Sequence, residues 1–242
     1  MKMRETGNTC ADEKILYLEC QSGISGDMTV GALLDLGASR ERLECALASL
    51  GVDGYHLHFG RTKKCGIDAF DFDVHLEGEH GNHSHGCHEH GDSGHSHECH
   101  EHGDSGHSHG SHEAHVHRNI RYVFAVIDRL EADEEVKTLA RRMFELVAEA
   151  EAKAHGLPLE EVHFHEVGAI DSIVDIISTA FCIHDLGIRR VAVSSLSEGR
   201  GYVRCQHGVI PVPVPATVNI AAACGLTLTI TENEGEMVTP TG

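Results

Sequence analysis

Residues Val162–Ile176 read VHFHEVGAIDSIVDI, a stretch that changes period midway and sets two histidines and three carboxylates among core-building residues. His163 and His165 alternate with Val162 and Phe164, the two-residue period of a strand, so the imidazoles face one side and the apolar pair the other. Gly168 breaks that pattern, and from Ala169 onward Ile170, Ile173, Val174 and Ile177 recur at helical spacing. A strand turning into a buried helix is therefore predicted here. Asp171 and Asp175 fall four residues apart on one flank of the helix, where like charges repel unless a metal ion or a basic side chain lies against them. Glu166, at the corner, can join them. The plainer alternative is that Asp171 serves the helix N-terminus and the histidines are satisfied locally.

Working outward, the same switching of period recurs. Toward the N-terminus, Lys14–Cys20 (KILYLEC) reads as a buried strand running through Ser22-Gly23-Ile24-Ser25-Gly26-Asp27-Met28 into a helix that stops at Gly37. A second helix spans Glu41–Leu50. Tyr55–Phe59 and Ile67–Leu76 alternate as a hairpin, with Arg61, Lys63 and Lys64 read as its turn. Past an insert, helices are predicted from Arg118 to Leu130 and from Asp133 to His155, the second burying Val136, Leu139, Ala140, Met143, Leu146, Val147 and Ala150. The helix of the opening stretch runs to about Leu186. Strands follow near Val191–Ser195 and Gly201–Cys205, then the proline-rich Ile210–Pro215, a helix to Cys224 and a strand at Leu226–Ile230. Alternation of this kind predicts an α/β fold, a mixed sheet with flanking helices. One domain is expected, residues 1–76 and 118–242, interrupted by an insert at 77–117. The closing Thr239-Pro240-Thr241 is a helix-start sequence, and a longer protein is expected beyond it.

The insert is low in complexity. It repeats CHEHGDSGHSHE from Cys87 as CHEHGDSGHSHG from Cys99 and holds 14 of the chain's 22 histidines. With almost nothing apolar it cannot offset the entropy of ordering itself, so a long disordered His-rich insert is expected. Its HxH pairs suit nickel, zinc or copper. The candidate metal ligands are His83, His85, Cys87, His88, His90, His95, His97, Cys99, His100, His102, His107 and His109. Such an arm would raise the metal concentration beside a structured site.

The formal charge of −19 disfavours nucleic acid and anionic membranes and favours a cation as partner. Protonating every histidine would carry it slightly past neutral and release metal over the same range. Nine scattered cysteines without a CxxC pair, and no apolar leader, fit a reducing cytoplasm. The longest uncharged run, Val209–Leu226, contains three prolines and makes a poor membrane helix. In SGISGDM, glycine lets backbone amides converge on an anion at a helix N-terminus, although Asp27 would repel a phosphate unless a cation bridged them. Arg204 is a candidate clamp for phosphate or carboxylate, and Cys205 with His207 a candidate soft-metal pair.

Read together, SGISGDM (Ser22–Met28), EAEAKAHG (Glu149–Gly156), VHFHEVGAIDSIVDI, GYVRCQHGVIPVPVPA (from Gly201) and GEMVTPTG (from Gly235) resemble the nickel insertion proteins of the LarC family. The resemblance spans nearly the whole chain and implies the N-terminal half of such a protein. It implies a nickel insertase, a lyase-class cyclometallase acting on pyridinium-3,5-bisthiocarboxylic acid mononucleotide to form the nickel pincer nucleotide cofactor of lactate racemase. It also implies CTP with Mn2+ or Mg2+, bound through a C-terminal region or subunit, and the lactate racemase apoprotein among the partners. On that reading His163, His165 and Glu166, with Asp171 and Asp175, serve nickel delivery or proton transfer. Ser22, Gly23, Ser25, Gly26, Asp27 and Arg204 then position the nucleotide. The competing expectations are a nickel store or metallochaperone without catalysis, and a metal-dependent hydrolase built on HxHE and the two aspartates.

Overall fold

The computed structural model describes residues 14–77, 119–162, 164, 169–205 and 207–242. The histidine-rich insert with all its candidate ligands, and His163, His165 and Glu166, lie outside the described residues.

Strand β1 (Ile15–Leu18) leads through the SGISGDM turn into helix α1 (Gly26–Asp35), followed by α2 (Arg40–Ala48). Helical spacing gives each one buried stripe: Val30, Leu33 and Leu34 on α1, and Leu43, Ala46 and Leu47 on α2. The hydroxyl of Ser39 caps α2 by accepting a hydrogen bond from the Arg42 amide. Strands β2 (Tyr55–Lys64) and β3 (Ile67–Leu76) form an antiparallel hairpin with Tyr55 opposite Leu76. Its reversal falls at Cys65 and Gly66, both at positive φ, so Arg61, Lys63 and Lys64 belong to the strand and not to the turn. Phe72 and Val74 are buried and Leu57 and Phe59 pack beside them, Phe59 meeting Phe72 edge to face at 5.3 Å.

Helices α3 (Ile120–Arg129), α4 (Glu134–His155) and α5 (Ile170–Asp185) supply most of the remaining core. The center of the packing is α5, which touches α1, α2, α4 and β3 while burying Ile173, Val174, Ile177, Ala180 and Phe181. Phe144 is fully buried on α4, whereas Leu139, Met143 and Leu146 are only half-buried. The inward face of α4 is thus rotated slightly from the predicted stripe. Strand β4 (Arg190–Val193) pairs parallel with β1. Strand β5 (Leu196–Cys205) is antiparallel to β6 (Gly208–Val212) and parallel to β7 (Leu228–Glu234), with α6 (Pro215–Cys224) between the last two.

The class is α/β with mixed strand pairing and flanking helices, as expected, but among the described residues the strands divide among three small sheets. That division explains β1: in a two-stranded sheet Leu16 is buried and Leu18 half-buried, while Ile15 and Tyr17 stay exposed. In the opening stretch, Val162 and Phe164 belong to no strand. They follow a short 3-10 turn at Leu159–Glu161, yet both side chains are buried, so the alternation read the inward residues correctly. Among the described residues no helix is long and apolar enough to cross a membrane.

Candidate functional site

A cavity of about 690 Å³ opens where the N-termini of α1, α5 and α6 converge. Ser25, Gly26 and Asp27 come from α1 and the residue before it; Asp171, Ser172 and Asp175 come from α5; Val214, Pro215 and Ala216 from the start of α6. The C-terminal turn of α4 adds Glu151 and His155, the β5–β6 hairpin adds Arg204, Cys205 and His207, and β3 adds Asp73. The volume lies within the roughly 300–1,000 Å³ usual for small-ligand sites. Free amide groups at helix N-termini favour anions, and Pro215 is tolerated at the first turn of α6 because that turn lacks a partner for its donor.

The same helix starts carry acids: Asp27 on α1, and Asp171 and Asp175 on α5. Asp175 has its carboxyl pushed up to about 8, first by burial and then by the charges of Asp27, Asp171 and Asp73. Its Oδ1 is buried and has no hydrogen-bond partner. Its other side faces Gly26, where an added Cβ would lie 2.5 Å from Asp175 Oδ2. Glycine at the helix start is what lets the α1 backbone approach this carboxyl. Ser25 leaves its own helix uncapped and donates its hydroxyl to Asp27, while Thr29 donates to the Ser25 carbonyl at 2.7 Å. Protein interiors seldom leave a carboxyl unpartnered, because desolvation strongly penalises the ion.

The floor of the site is held from behind by Glu198, fully buried on β5. Its Oε1 accepts from the amides of Gly199 at 2.7 Å, Met237 at 2.7 Å and Val238 at 3.3 Å. That fixes the segment entering the Thr239–Thr241 turn, which lines the cavity. The same segment runs beside the SGISGDM turn: the Ile24 amide donates to the Met237 carbonyl at 2.9 Å and the Thr239 amide to the Ile24 carbonyl at 3.1 Å. Gly23 adopts φ +86°, and an added Cβ would lie 2.1 Å from the Met237 carbonyl oxygen. Neither Ser22, which is exposed, nor Gly23 lines the cavity, and Gly23 serves the contact between the two loops.

Of the candidate site residues, Ser25, Gly26, Asp27, Asp171, Asp175 and Arg204 are brought to one cavity. The four-residue spacing on α5 does place both aspartates on the same face. The sequence reading did not single out Asp73, Glu151 and His155. His155 stacks tilted against His207 with ring centroids 4.9 Å apart and has Nε2 3.5 Å from Glu151 Oε2. The signal for that pair lay in the motif EAEAKAHG, where Glu151 and His155 fall four residues apart, one helical turn; for Asp73 there was only strand alternation. Among the described residues no three His, Cys, Asp or Glu side chains are gathered into a ready-made metal site.

The model of the family described as "Nickel insertion protein" matches residues 16–242. The pyridinium-3,5-bisthiocarboxylic acid mononucleotide nickel insertion protein of Alkaliphilus metalliredigens is 52% identical over 94% of this chain and 50% of its own length. The protein of the same name from Geobacillus kaustophilus is 44% identical over 82% of this chain and 42% of its own. A putative nickel insertion protein of Geobacter sp. strain M21 is 41% identical over 95% and 50%. The chain spans about half the length of these relatives. No solved structure matches it.

Proposed function

The chain belongs to the nickel insertion protein family, and from that premise we propose that its cavity receives pyridinium-3,5-bisthiocarboxylic acid mononucleotide and the nickel ion inserted into it. In this reading the reaction is a cyclometallation: nickel becomes bonded to two sulfurs and to the ring carbon between them, and that carbon loses a proton. The substrate thus brings an anionic phosphate, thiocarboxylates and a cationic ring to one place, while nickel arrives as a dication. A cavity lined by three helix N-termini, by Arg204 and by carboxylates carried on two of those same helices suits that mixture.

The observation that supports the reading most is Asp175, a buried carboxyl at the cavity wall whose Oδ1 has no hydrogen-bond partner. At neutral pH it holds its proton, which limits the repulsion among the acids while the cavity is empty of cations. A dication entering beside it favours the ionised form, so the proton leaves to solvent and a carboxylate becomes available at a site screened from water. That carboxylate accepts the proton from the ring carbon, Arg204 and the α1 N-terminus hold the phosphate, and Asp171 positions the metal. His163, His165 and Glu166, adjoining Phe164 in the chain, deliver nickel. The histidine-rich insert gathers the metal, and CTP with Mn2+ or Mg2+ acts through the additional length that the relatives possess. The setting is cytoplasmic, and the product serves lactate racemase.

Nickel transfer into the mononucleotide, followed by its absorbance, tests this. The chain is assayed with a relative's C-terminal region, CTP and manganese, as wild type, as His163→Ala/His165→Ala and with residues 80–117 deleted. Transfer lost in the double variant and retained at saturating nickel in the deletion is expected. Retained transfer in the double variant would remove those histidines from the mechanism, and tight nickel binding without transfer in any combination would favour a storage role.

A further inference from the structure

The pairing of β5 with β7 breaks at Glu198. Glu198 stands opposite Ile230 and Arg200 opposite Glu234, so β7 spends more residues than β5 across this step. Irregularities of this kind re-aim side chains and are common beside functional sites. Gly199 permits it, since a Cβ there would lie 1.9 Å from the Gly235 carbonyl oxygen and 3.1 Å from that of Asn233. The Glu198 side chain is wholly buried, its Oε1 collects the amides of Gly199, Met237 and Val238, and its Oε2 has no hydrogen-bond partner. A desolvated carboxylate is costly, and charge-assisted bonds from several N–H groups to one oxygen are what offset the cost.

Those amides belong to a joint between segments far apart in sequence. The Met237 carbonyl accepts from the Ile24 amide at 2.9 Å, and the Ile24 carbonyl from the Thr239 amide at 3.1 Å. The Val238 carbonyl accepts the Thr217 hydroxyl of α6 at 3.3 Å. Beside Glu198 on β5, the Ser197 amide donates to the Cys20 carbonyl at 3.0 Å, at the entry to the SGISGDM turn. Beneath the joint Cys20, Leu196 and Val238 form a small buried cluster apart from the main core. One segment continues directly into Ser25 and Asp27 and the other into Thr239 and Thr241, all on the cavity lining, whereas Glu198 itself is not.

We infer that Glu198 is a positioning residue for the cavity: one buried carboxylate holds the SGISGDM turn, the segment from Met237 to Thr241 and the start of α6 as a single unit. It thereby shapes the side of the cavity that takes the mononucleotide. That last role rests on the proposed nickel insertion; the coupling of the segments does not. Asp171 and Asp175 are carried by α5, outside the hydrogen bonds of this joint, so Glu198 governs binding more than proton transfer.

Two variants separate the acceptor from the bulk. Glu198→Gln keeps an oxygen at the joint, and Glu198→Met fills the space without one. Hydrogen exchange read by mass spectrometry, on the full chain without ligand, tests the coupling. In Glu198→Met, exchange at residues 22–25 and 236–241 should rise together by roughly tenfold or more with α5 unchanged, and in Glu198→Gln it should stay within about threefold of wild type. Faster exchange confined to 236–241, or in neither segment, would overturn the coupling. Nickel transfer with the relative's C-terminal region, CTP and manganese tests the consequence. Glu198→Met should raise KM for the mononucleotide by about tenfold while kcat falls less than about threefold, and Glu198→Gln should restore KM. A fall in kcat alone, or a Glu198→Gln protein no better than Glu198→Met, would overturn the positioning role. Should Glu198→Met fail to fold, Thr217→Val removes only the hydroxyl bond to Val238 and should raise KM by about two- to fivefold; an unchanged KM there would count against the joint. Wild-type protein that transfers no nickel would overturn the proposed reaction and leave the exchange result to decide the coupling.

Discussion

The cavity and the outer face of the β2–β3 hairpin share Asp73 and handle charge in opposite ways. On the hairpin every imidazole has a carboxylate within ion-pair distance, and water surrounds the pairs. In the cavity the acids crowd one another, and Asp175 has an oxygen that nothing satisfies. The difference lies in dielectric. Exposed pairs contribute little to stability and rearrange at small cost, whereas a desolvated carboxyl shifts its protonation and waits for a cation. An exposed, paired surface is therefore joined through Asp73 to an interior whose acids are crowded and desolvated.

The comparison is broken most directly at Asp175. Its folded-state affinity for a proton is raised, so between the ordinary carboxylate range and about pH 8 the folded protein keeps a proton that the unfolded chain has lost. Stability contributed by this group therefore falls as pH rises through that window. Asp175→Asn removes the effect: by denaturant unfolding the variant should match wild type near pH 4 and exceed it at pH 8 by on the order of a few kcal/mol. A constant difference across pH would mean that the carboxyl is not buried as described. Next in size is Gly26→Ala, whose new methyl collides with Asp175. It should cost about 1–3 kcal/mol, as overpacking does, and should depress nickel transfer even where the protein remains folded.

Arg204 tests the anionic end of the cavity. Arg204→Ala should weaken mononucleotide binding roughly tenfold by calorimetry, the loss of a charge-assisted contact, and leave the unfolding midpoint nearly unchanged because the side chain is exposed. The smallest expected effect belongs to the hairpin: His56→Ala/His58→Ala should alter stability by less than about 0.5 kcal/mol. A large loss there would mean that the pairs are structural and would collapse the contrast with the cavity.

Much of this architecture was legible from periodicity. The helical stripe of α5, the turn into α1 and the hairpin all follow from spacing, and so does the common face of Asp171 and Asp175. What stayed hidden was long-range. Nothing local says that Gly26 must approach a carboxyl from α5, or that Glu198 would be buried to collect three amides from its own neighbour and from a segment near Met237. Asp73 read as one more polar residue on the outer face of a strand, and its place at the cavity depends on how β3 packs against α1 and α5. The basic residues before Cys65 were misread as a turn because charge was taken as the signal, while the reversal itself came from Cys65-Gly66. Ser22 and Gly23, which do not line the cavity, share a motif with Ser25, Gly26 and Asp27, which do, and sequence proximity does not separate the two groups.

The measurement that bears most directly on the cavity as the place where nickel and nucleotide meet is the transfer rate of Asp175→Asn against wild type. Both are supplied with the same C-terminal region, CTP, manganese and saturating nickel. Loss of the proton acceptor should lower the rate by roughly 100-fold or more while mononucleotide binding persists. Undiminished transfer in a folded Asp175→Asn protein would contradict the account.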